Sequence, residues 1–355
     1  MARRRPAWPT FIGLSVLSAL AACNGILGTE PGEAPEDGGT VPLSDASRPN
    51  IDAQMGNDAG LVEGGRDTGI DLSDAGWNAM NSGTSDPIHA IWGSSPQDVY
   101  AVGGRYQLNN LILHSTGNGV WTSKSMPGQG LLSVGGSSAT NLYAVGFAGT
   151  ILHSTGDGNW VTEVSGTGET LSSVWARDAL EVYAVGSGGT ILRSNGNGAW
   201  VKQTSPGTGL VGGVWGVGAN DVYAVGNGFI WHSAGNGVWE EQTVAGVDNR
   251  HHIWGSGPTD IYVVGGQNVG GGTIIHGTGK GDWVHQTPAV SDTFIGVWGS
   301  SSTDVYAITQ KGIYHSTGNG VWAPQKSAAS PFAIWGSGAA DVYVVGPAGE
   351  IFHRP

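Results

Sequence analysis

The sequence predicts an all-β fold, a seven-bladed β-propeller of four-stranded blades, closed by an N-terminal strand that completes the last blade. Three observations carry this. The phrase Asp/Asn-Val-Tyr-Ala-Val-Gly, or a close variant, occurs seven times, with tyrosines at Tyr100, Tyr143, Tyr183, Tyr223, Tyr262, Tyr306 and Tyr343. A second aromatic set also recurs seven times: Trp77, Trp121, Trp160, Trp200, Trp239, Trp283 and Trp322. The two chain ends, finally, are complementary fragments of one unit. A period of about 40 residues holding several short strands is the signature of a propeller blade.

Residues 171–205 display one unit. Four runs of β-branched, aromatic and aliphatic residues are separated by Gly, Asp, Asn and Ser clusters, the pattern of short strands joined by tight turns. They are named A (171–175), B (182–185), C (190–193) and D (200–203). Strands A to C are apolar at nearly every position, so both faces must be covered, as between two neighbouring blades. With 63 glycines in 355 residues, and Gly-Asn-Gly or a relative in almost every repeat, helices are excluded. The last unit ends at Glu350-Ile351-Phe352-His353, a strand C with no D after it. The first strand D, Gly76-Trp77-Asn78-Ala79-Met80, has no A, B or C before it. Pairing the two closes the ring and removes open sheet edges; an open solenoid would not need complementary ends.

The C–D hairpin reads His-Ser-Thr-Gly-Asn-Gly-Val-Trp at 114–121 and at 315–322, and His-Ser-Thr-Gly-Asp-Gly-Asn-Trp at 153–160. This resembles the Asp-box, or BNR, hairpin of sialidase-like propellers, where Ser, Asp or Asn, and Gly form the turn and Trp returns to the core. Asn, Asp and Gly accept left-handed backbone angles, which suits such a turn. Blade 5 departs from it, with Gly277-Thr278-Gly279-Lys280-Gly281-Asp282-Trp283. Strand B with paired glycines, as in Ile261-Tyr262-Val263-Val264-Gly265-Gly266, is similar to kelch repeats. The resemblance covers residues 74–355 and implies an architecture. Propellers host binding modules, hydrolases and lyases alike, so it does not assign chemistry.

The first 73 residues read differently. Arg3, Arg4 and Arg5 precede an apolar stretch from Phe11 to Ala22, and Cys23 follows. This is the pattern of a secretory signal over 1–22, too short to span a membrane. Leu20-Ala21-Ala22-Cys23 resembles the bacterial lipobox, which implies cleavage before Cys23 and acylation of that residue. The alternative is an ordinary signal beside a chance cysteine. Cys23 is the single cysteine of the chain, so no disulfide explains it, and several acyl chains on one residue give durable anchoring. By the sorting rule of enteric lipoproteins, Asn24 implies an extracytoplasmic, outer-membrane location. Residues 24–73 carry ten acidic residues against Arg48 and Arg66, no aromatic residue, and many Gly and Pro. Such a segment cannot bury enough apolar surface to fold and reads as a self-repelling tether over 23–73.

From Asp74 on, ten basic and eighteen acidic residues leave a net charge of −8. Nucleic-acid binding needs a basic footprint, which is absent. His114, His153, His232, His276, His315 and His353 share one position of strand C, with Arg193 in the seventh. One per blade, they diverge and cannot share an ion, so no metal and no cofactor is expected. The strand A set, Trp92, Trp175, Trp215, Trp254, Trp298 and Trp335, with Gly135 in blade 2, reads as inter-blade packing. Asp98, Asn141, Glu181, Asp221, Asp260, Asp304 and Asp341, which open strand B, read as acceptors for turn amides.

Function is expected where the repeat is broken. The A–B and C–D turns keep constant length on one face of the disc; the B–C and D–A loops vary on the other, which suits recognition. Two B–C loops are extended, with Arg105, Tyr106 and Asn109 in one and Gln267 and Asn268 in the other. The loop before blade 5, with Asp248, Asn249, Arg250 and His251, is the densest polar cluster. These nine residues are the candidate ligand-binding set. A sialidase would need three converging arginines, and of Arg105, Arg177, Arg193, Arg250 and Arg354 too few fall on the loop face; the family's Arg-Ile-Pro signature is absent. The sequence offers no complete catalytic constellation. It therefore reads as a lipid-anchored envelope protein, a non-catalytic binding or assembly scaffold for a protein or surface glycan, held at the membrane through Cys23. The alternative is a carbohydrate-active hydrolase or lyase on a degenerate sialidase-like propeller, with Glu169, Asp248 and Asp292 as candidate carboxylates.

Overall fold

Strand B is the most apolar stretch of each repeat, and it lies at the centre of the packing. Every residue of Asn141–Gly146 and of Glu181–Gly186 is buried. The computed structural model describes residues 76–355 except 245–248, 268–270, 280, 287–289 and 328–329. These residues form seven four-stranded antiparallel sheets, each in the order A-B-C-D. Blades 1 to 6 occupy residues 88–127, 131–163, 171–202, 211–242, 249–286 and 294–327, and blade 7 occupies 333–354 together with 78–80. Each strand A contacts strand A of the next blade, and blade 7 meets blade 1 in the same way. The described residues contain no α-helix, only short 3-10 turns at Phe147–Gly149 and Ser187–Gly189.

The representative unit in blade 3 comprises strands Leu171–Asp178, Glu181–Gly186, Ile191–Ser194 and Trp200–Lys202. Strand A runs past Trp175 because a bulge lets Asp178 pair with Glu181. Thr190 belongs instead to the turn before strand C, where its N–H bonds to Ser187 O.

Closure occurs as the ends of the sequence imply. Asn78, Ala79 and Met80 pair with His353, Phe352 and Ile351. Ser82 Oγ donates to Gly349 O at 2.6 Å beside this seam. Trp77 is 4% exposed and packs with Tyr306 and Ile308 of blade 6. The residues flanking the N-terminal strand thus join two blades at once.

Two aromatic devices repeat around the ring. Six of the seven strand B tyrosines meet the strand D tryptophan of the next blade edge-on: Tyr100 with Trp160, Tyr143 with Trp200, Tyr183 with Trp239, Tyr223 with Trp283, Tyr262 with Trp322 and Tyr343 with Trp121, at 5.8–6.3 Å. Such pairs add about 0.5–1.5 kcal/mol each beyond area burial. Nearer the channel, each strand A tryptophan lies over a strand A glycine of the next blade. A Cβ on Gly136 would stand 2.8 Å from Trp92, on Gly216 2.7 Å from Trp175, and on Gly93 2.6 Å from Trp335. The exception supports the rule. Blade 2 has Gly135 where the tryptophan belongs, and the repeat-equivalent residue of blade 3 is Ala176, buried, instead of glycine.

Turn contacts assign the faces. Gly117, at φ 78°, would place a Cβ 2.3 Å from Pro96 O, so the C–D turn packs on the A–B turn. On the opposite face, Gly104 N donates to Pro87 O at 3.0 Å, joining a B–C loop to a D–A loop.

Gly216→Ala is expected to destabilise the protein by about 1–3 kcal/mol, as overpacking does, read from the midpoint of urea unfolding. In a Trp175→Gly background, which reproduces the Gly135–Ala176 pair, the same substitution is expected to cost much less. Equal penalties in both backgrounds would refute the tryptophan-over-glycine account.

Candidate functional site

The histidines of strand C are held by the acidic residues that open strand B. His114 Nε2 lies 2.8 Å from Asp98 Oδ1, and the equivalent distances are 2.7 Å to Asp221, 2.7 Å to Asp260, 2.8 Å to Asp304 and 2.6 Å to Asp341. The second oxygen accepts a serine of strand A: Ser94 to Asp98 at 2.6 Å, Ser256 to Asp260 at 2.5 Å, Ser300 to Asp304 at 2.5 Å, and Ser337 to Asp341. The expectation that these residues satisfy turn amides is thereby corrected. The carboxylates join strands A, B and C, because each bridges a histidine on the adjacent strand C and a serine of strand A. The strand B tyrosine completes each cluster by stacking on the imidazole, at 4.3 Å for Tyr100 on His114 and 4.2 Å for Tyr343 on His353.

Blades 2 and 3 vary the theme. His153 Nε2 faces Asn141 Oδ1 at 3.3 Å, and its Nδ1 lies 3.3 Å from Glu163 Oε1. In blade 3, Arg193 replaces the histidine, bonds Glu181 Oε1 at 3.1 Å and stands 5.7 Å from the Tyr183 ring centroid. Arg177 Nε holds the other Glu181 oxygen at 2.6 Å. The longer side chains span the same gap.

On the loop face, three predicted residues come together. Arg105 Nε pairs with Asp86 Oδ1 at 2.8 Å, while Asn109 Nδ2 donates to Asp86 Oδ2, also at 2.8 Å. Asn109 Oδ1 accepts the Arg105 amide at 3.0 Å, and Leu108 N returns to Arg105 O at 3.0 Å. This loop is therefore pinned from within, with Gln107 at a left-handed φ of 59°. Pinning leaves Tyr106 57% and Leu108 63% exposed, and Tyr106 leans on Phe147 of blade 2 at 4.8 Å. Asp86 and Phe147 were not among the predicted residues. Asp86 is the acidic residue directly before a proline in a D–A loop, a signal of a fixed turn that could have drawn notice.

The blade 5 candidates are arranged otherwise. Asn249, Arg250 and His251 belong to strand Asn249–Gly257 rather than to a loop, and Gln267 ends strand Asp260–Gln267. The strand begins early because Asn249 and Arg250 pair with Gly266 and Gly265. Cys23, Asp248 and Asn268 lie outside the described residues. The predicted set thus falls into two sectors, blade 1 and blade 5. Of the candidate carboxylates, Glu169 accepts Ser187 Oγ at 2.5 Å before blade 3, and Asp292 stands 4.0 Å from Lys311 Nζ before blade 6.

In blades 1 to 6 strand A carries a bulge near its start, and in blades 1 and 3 the bulged residue reaches the next blade. His89 Nδ1 bonds Leu131 O at 2.8 Å, and Ser172 Oγ donates to Val211 O. His89 also stacks on Phe332 at 5.5 Å. Burial holds its imidazole below the usual histidine range, against the opposing effect of the Leu131 carbonyl.

The fold is that of seven-bladed propellers of diverse activity. A structure titled YCF48 bound to D1 peptide is similar, with a TM-score of 0.64 at 14% identity, over 81% of this chain and 99% of that one. The WD40 propeller domain of Doa1 matches with a TM-score of 0.64 at 15% identity, over 81% and 97%. A catalytically inactive virginiamycin B lyase from Staphylococcus aureus, with quinupristin, reaches 0.67 at 14% identity, over 78% and 98%. No protein-family model and no curated protein matches the sequence. At these identities the likeness is one of fold.

Burial, and then the neighbouring acid, pushes the hydroxyls of Tyr100 and Tyr262 up to about 12. Burial does the same for Tyr143, with Glu163 adding to it. An unfolded tyrosine releases its proton near pH 10. The stability these buried hydroxyls contribute is therefore intact below about pH 10 and is lost as pH rises toward 12. Melting temperatures followed from about pH 8 to 11.5 are expected to fall steeply above pH 10, with tyrosinate absorbance rising as the β-sheet signal is lost. A flat profile would contradict the buried clusters.

Proposed function

We propose that this propeller is a non-catalytic scaffold that captures a segment of a partner protein on the loop face of blades 1 and 2, and that Cys23 anchors it by lipid in the cell envelope. The carrying observation is the pairing of exposed Tyr106 and Leu108 on a loop already rigidified by Arg105, Asp86 and Asn109. Exposed aromatic and aliphatic anchors on a preorganised backbone bind at low entropic cost. A propeller of the same fold bound to a peptide supports a protein partner over a glycan. The hairpin turns support the resemblance to Asp-box repeats: Ser115 Oγ accepts Gly117 N at 3.3 Å and Asn118 Oδ1 accepts Val120 N at 3.0 Å, as in four further blades. The lipobox-like Leu20-Ala21-Ala22-Cys23 and the acidic 24–73 support an anchor and tether at the outer membrane.

Affinity capture from envelope extracts, run beside a glycan array with the full chain, is expected to yield a protein partner. Tyr106→Ala with Leu108→Ala should weaken its binding by about tenfold or more while the melting temperature holds. Glycan binding without a protein partner would replace the protein by a sugar, and silence in both assays would refute the binding role. Radioactive palmitate is expected to label the parent chain but not Cys23→Ser; equal incorporation would refute the anchor.

A further inference from the structure

Each strand D tryptophan lies against strand D of the preceding blade, and its indole N–H needs an acceptor there. Four interfaces supply one from the residue three positions after the preceding blade's own tryptophan. Trp200 Nε1 donates to Glu163 at 2.7 Å, Trp239 to Gln203 at 2.6 Å, Trp283 to Gln242 at 2.8 Å and Trp322 to Gln286 at 2.9 Å. Between blades 1 and 2 the residue at that position is Lys124, whose ammonium has donors only. Lys124 Nζ turns to Gly158 O at 3.0 Å, and Trp160 Nε1 forms no hydrogen bond among the described residues. The place of the missing acceptor is a groove of about 260 Å³, lined by Lys124, Trp160, His114, Thr122 and Ser123.

The next interface shows what chemistry fits there. The Glu163 carboxylate accepts Trp200 Nε1 with one oxygen and faces His153 Nδ1 at 3.3 Å with the other. Trp160 and His114 are the equivalent groups one blade earlier, and Lys124 adds a full positive charge that no other interface with a known acceptor has.

We propose that this groove is a carboxylate-binding site, in which a ligand carboxylate takes the position that Glu163 occupies at the next interface. It accepts hydrogen bonds from Trp160 Nε1 and Lys124 Nζ, with the imidazole of His114 beside it. Charge-assisted bonds of this kind are roughly twice as strong as neutral ones. The groove is lined in part by the C–D turn glycines Gly156 and Gly158, on the face away from the B–C loops, so it stands independently of the loop-face reading. The carboxylate can be that of a small acid or of a peptide C-terminus.

Indole 15N-labelled full chain, with the Trp160 resonance assigned through Trp160→Phe, distinguishes these. It is titrated with acetate and with acetyl-Gly-Gly-Ala, the latter with a free or an amidated C-terminus, at ionic strength matched with sodium chloride. The Trp160 indole resonance is expected to shift saturably with acetate and with the free-terminus peptide, and to ignore the amide and chloride. Tighter binding of the peptide assigns the site to a chain terminus, and equal binding to a small acid. Lys124→Gln installs the acceptor native to three other interfaces, so the fold should hold; it is expected to weaken the response by about tenfold or more. No shift with either carboxylate, the same shift with chloride, or unchanged affinity in Lys124→Gln would overturn the proposal.

Discussion

Each blade leaves an apolar sheet face that only the next blade can cover, and this single need governs the molecule. The covering is done by tryptophans at two radii. The strand D ring meets the tyrosine of the blade before it, as Trp239 meets Tyr183 at 6.0 Å. The strand A ring lies on a glycine of the blade after it, as Trp215 lies over Gly255. Neighbours are thus gripped in both directions. A blade missing one partner would expose indole and valine to water, at about 25 cal/mol for each Å² of apolar surface. The ring must therefore close, and Asn78–Met80 closes it.

Polar groups caught in this packing are handled just as regularly. Asp, Ser, His and Tyr form a cluster in most blades, in which each carboxylate oxygen has a donor and the imidazole packs on the tyrosine ring. Buried polar networks stabilise a fold when every member is satisfied and harm it otherwise. Several departures gather around blades 1 and 2. There the strand A tryptophan becomes Gly135, the acceptor becomes Lys124, the B–C loop lengthens, and the outer strand Trp121–Pro127 runs to seven residues. At the seam next to them, Met80 stands where an acceptor would, and Trp121 Nε1 is buried with no hydrogen-bond partner among the described residues. Such a group costs about 1–3 kcal/mol, which the surrounding packing offsets.

The blade count, the strand order and the closure were legible because they depend on periodicity, and periodicity survives in a single sequence. The partners of side chains on neighbouring strands were less so. Nothing in the spacing of Asp98 and His114 says that they touch, since their contact depends on the register of strands B and C. The Glu163–Trp200 bond crosses between blades and is invisible until the blades are docked, although the recurrence of Gln or Glu three residues after a tryptophan was there to be seen. Around blade 5, strand pairing extends across glycines that read as loop, so Asn249 and Arg250 fall within a strand. Tyr106 was recognisable as part of an unusual loop; its support by Asp86 depends on two loops meeting across the face.

Because the strand Asn78–Met80 lies at the perimeter of its sheet, pairing outward of Ile351–Arg354, the earliest part of the ring to leave the ribosome finds its place last. It waits for a segment synthesised more than 250 residues later. Until then the nascent chain is an arc with two bare flanks, vulnerable to proteases and to its own kind. A product truncated before Ile351 can never latch, so the architecture itself separates finished molecules from unfinished ones.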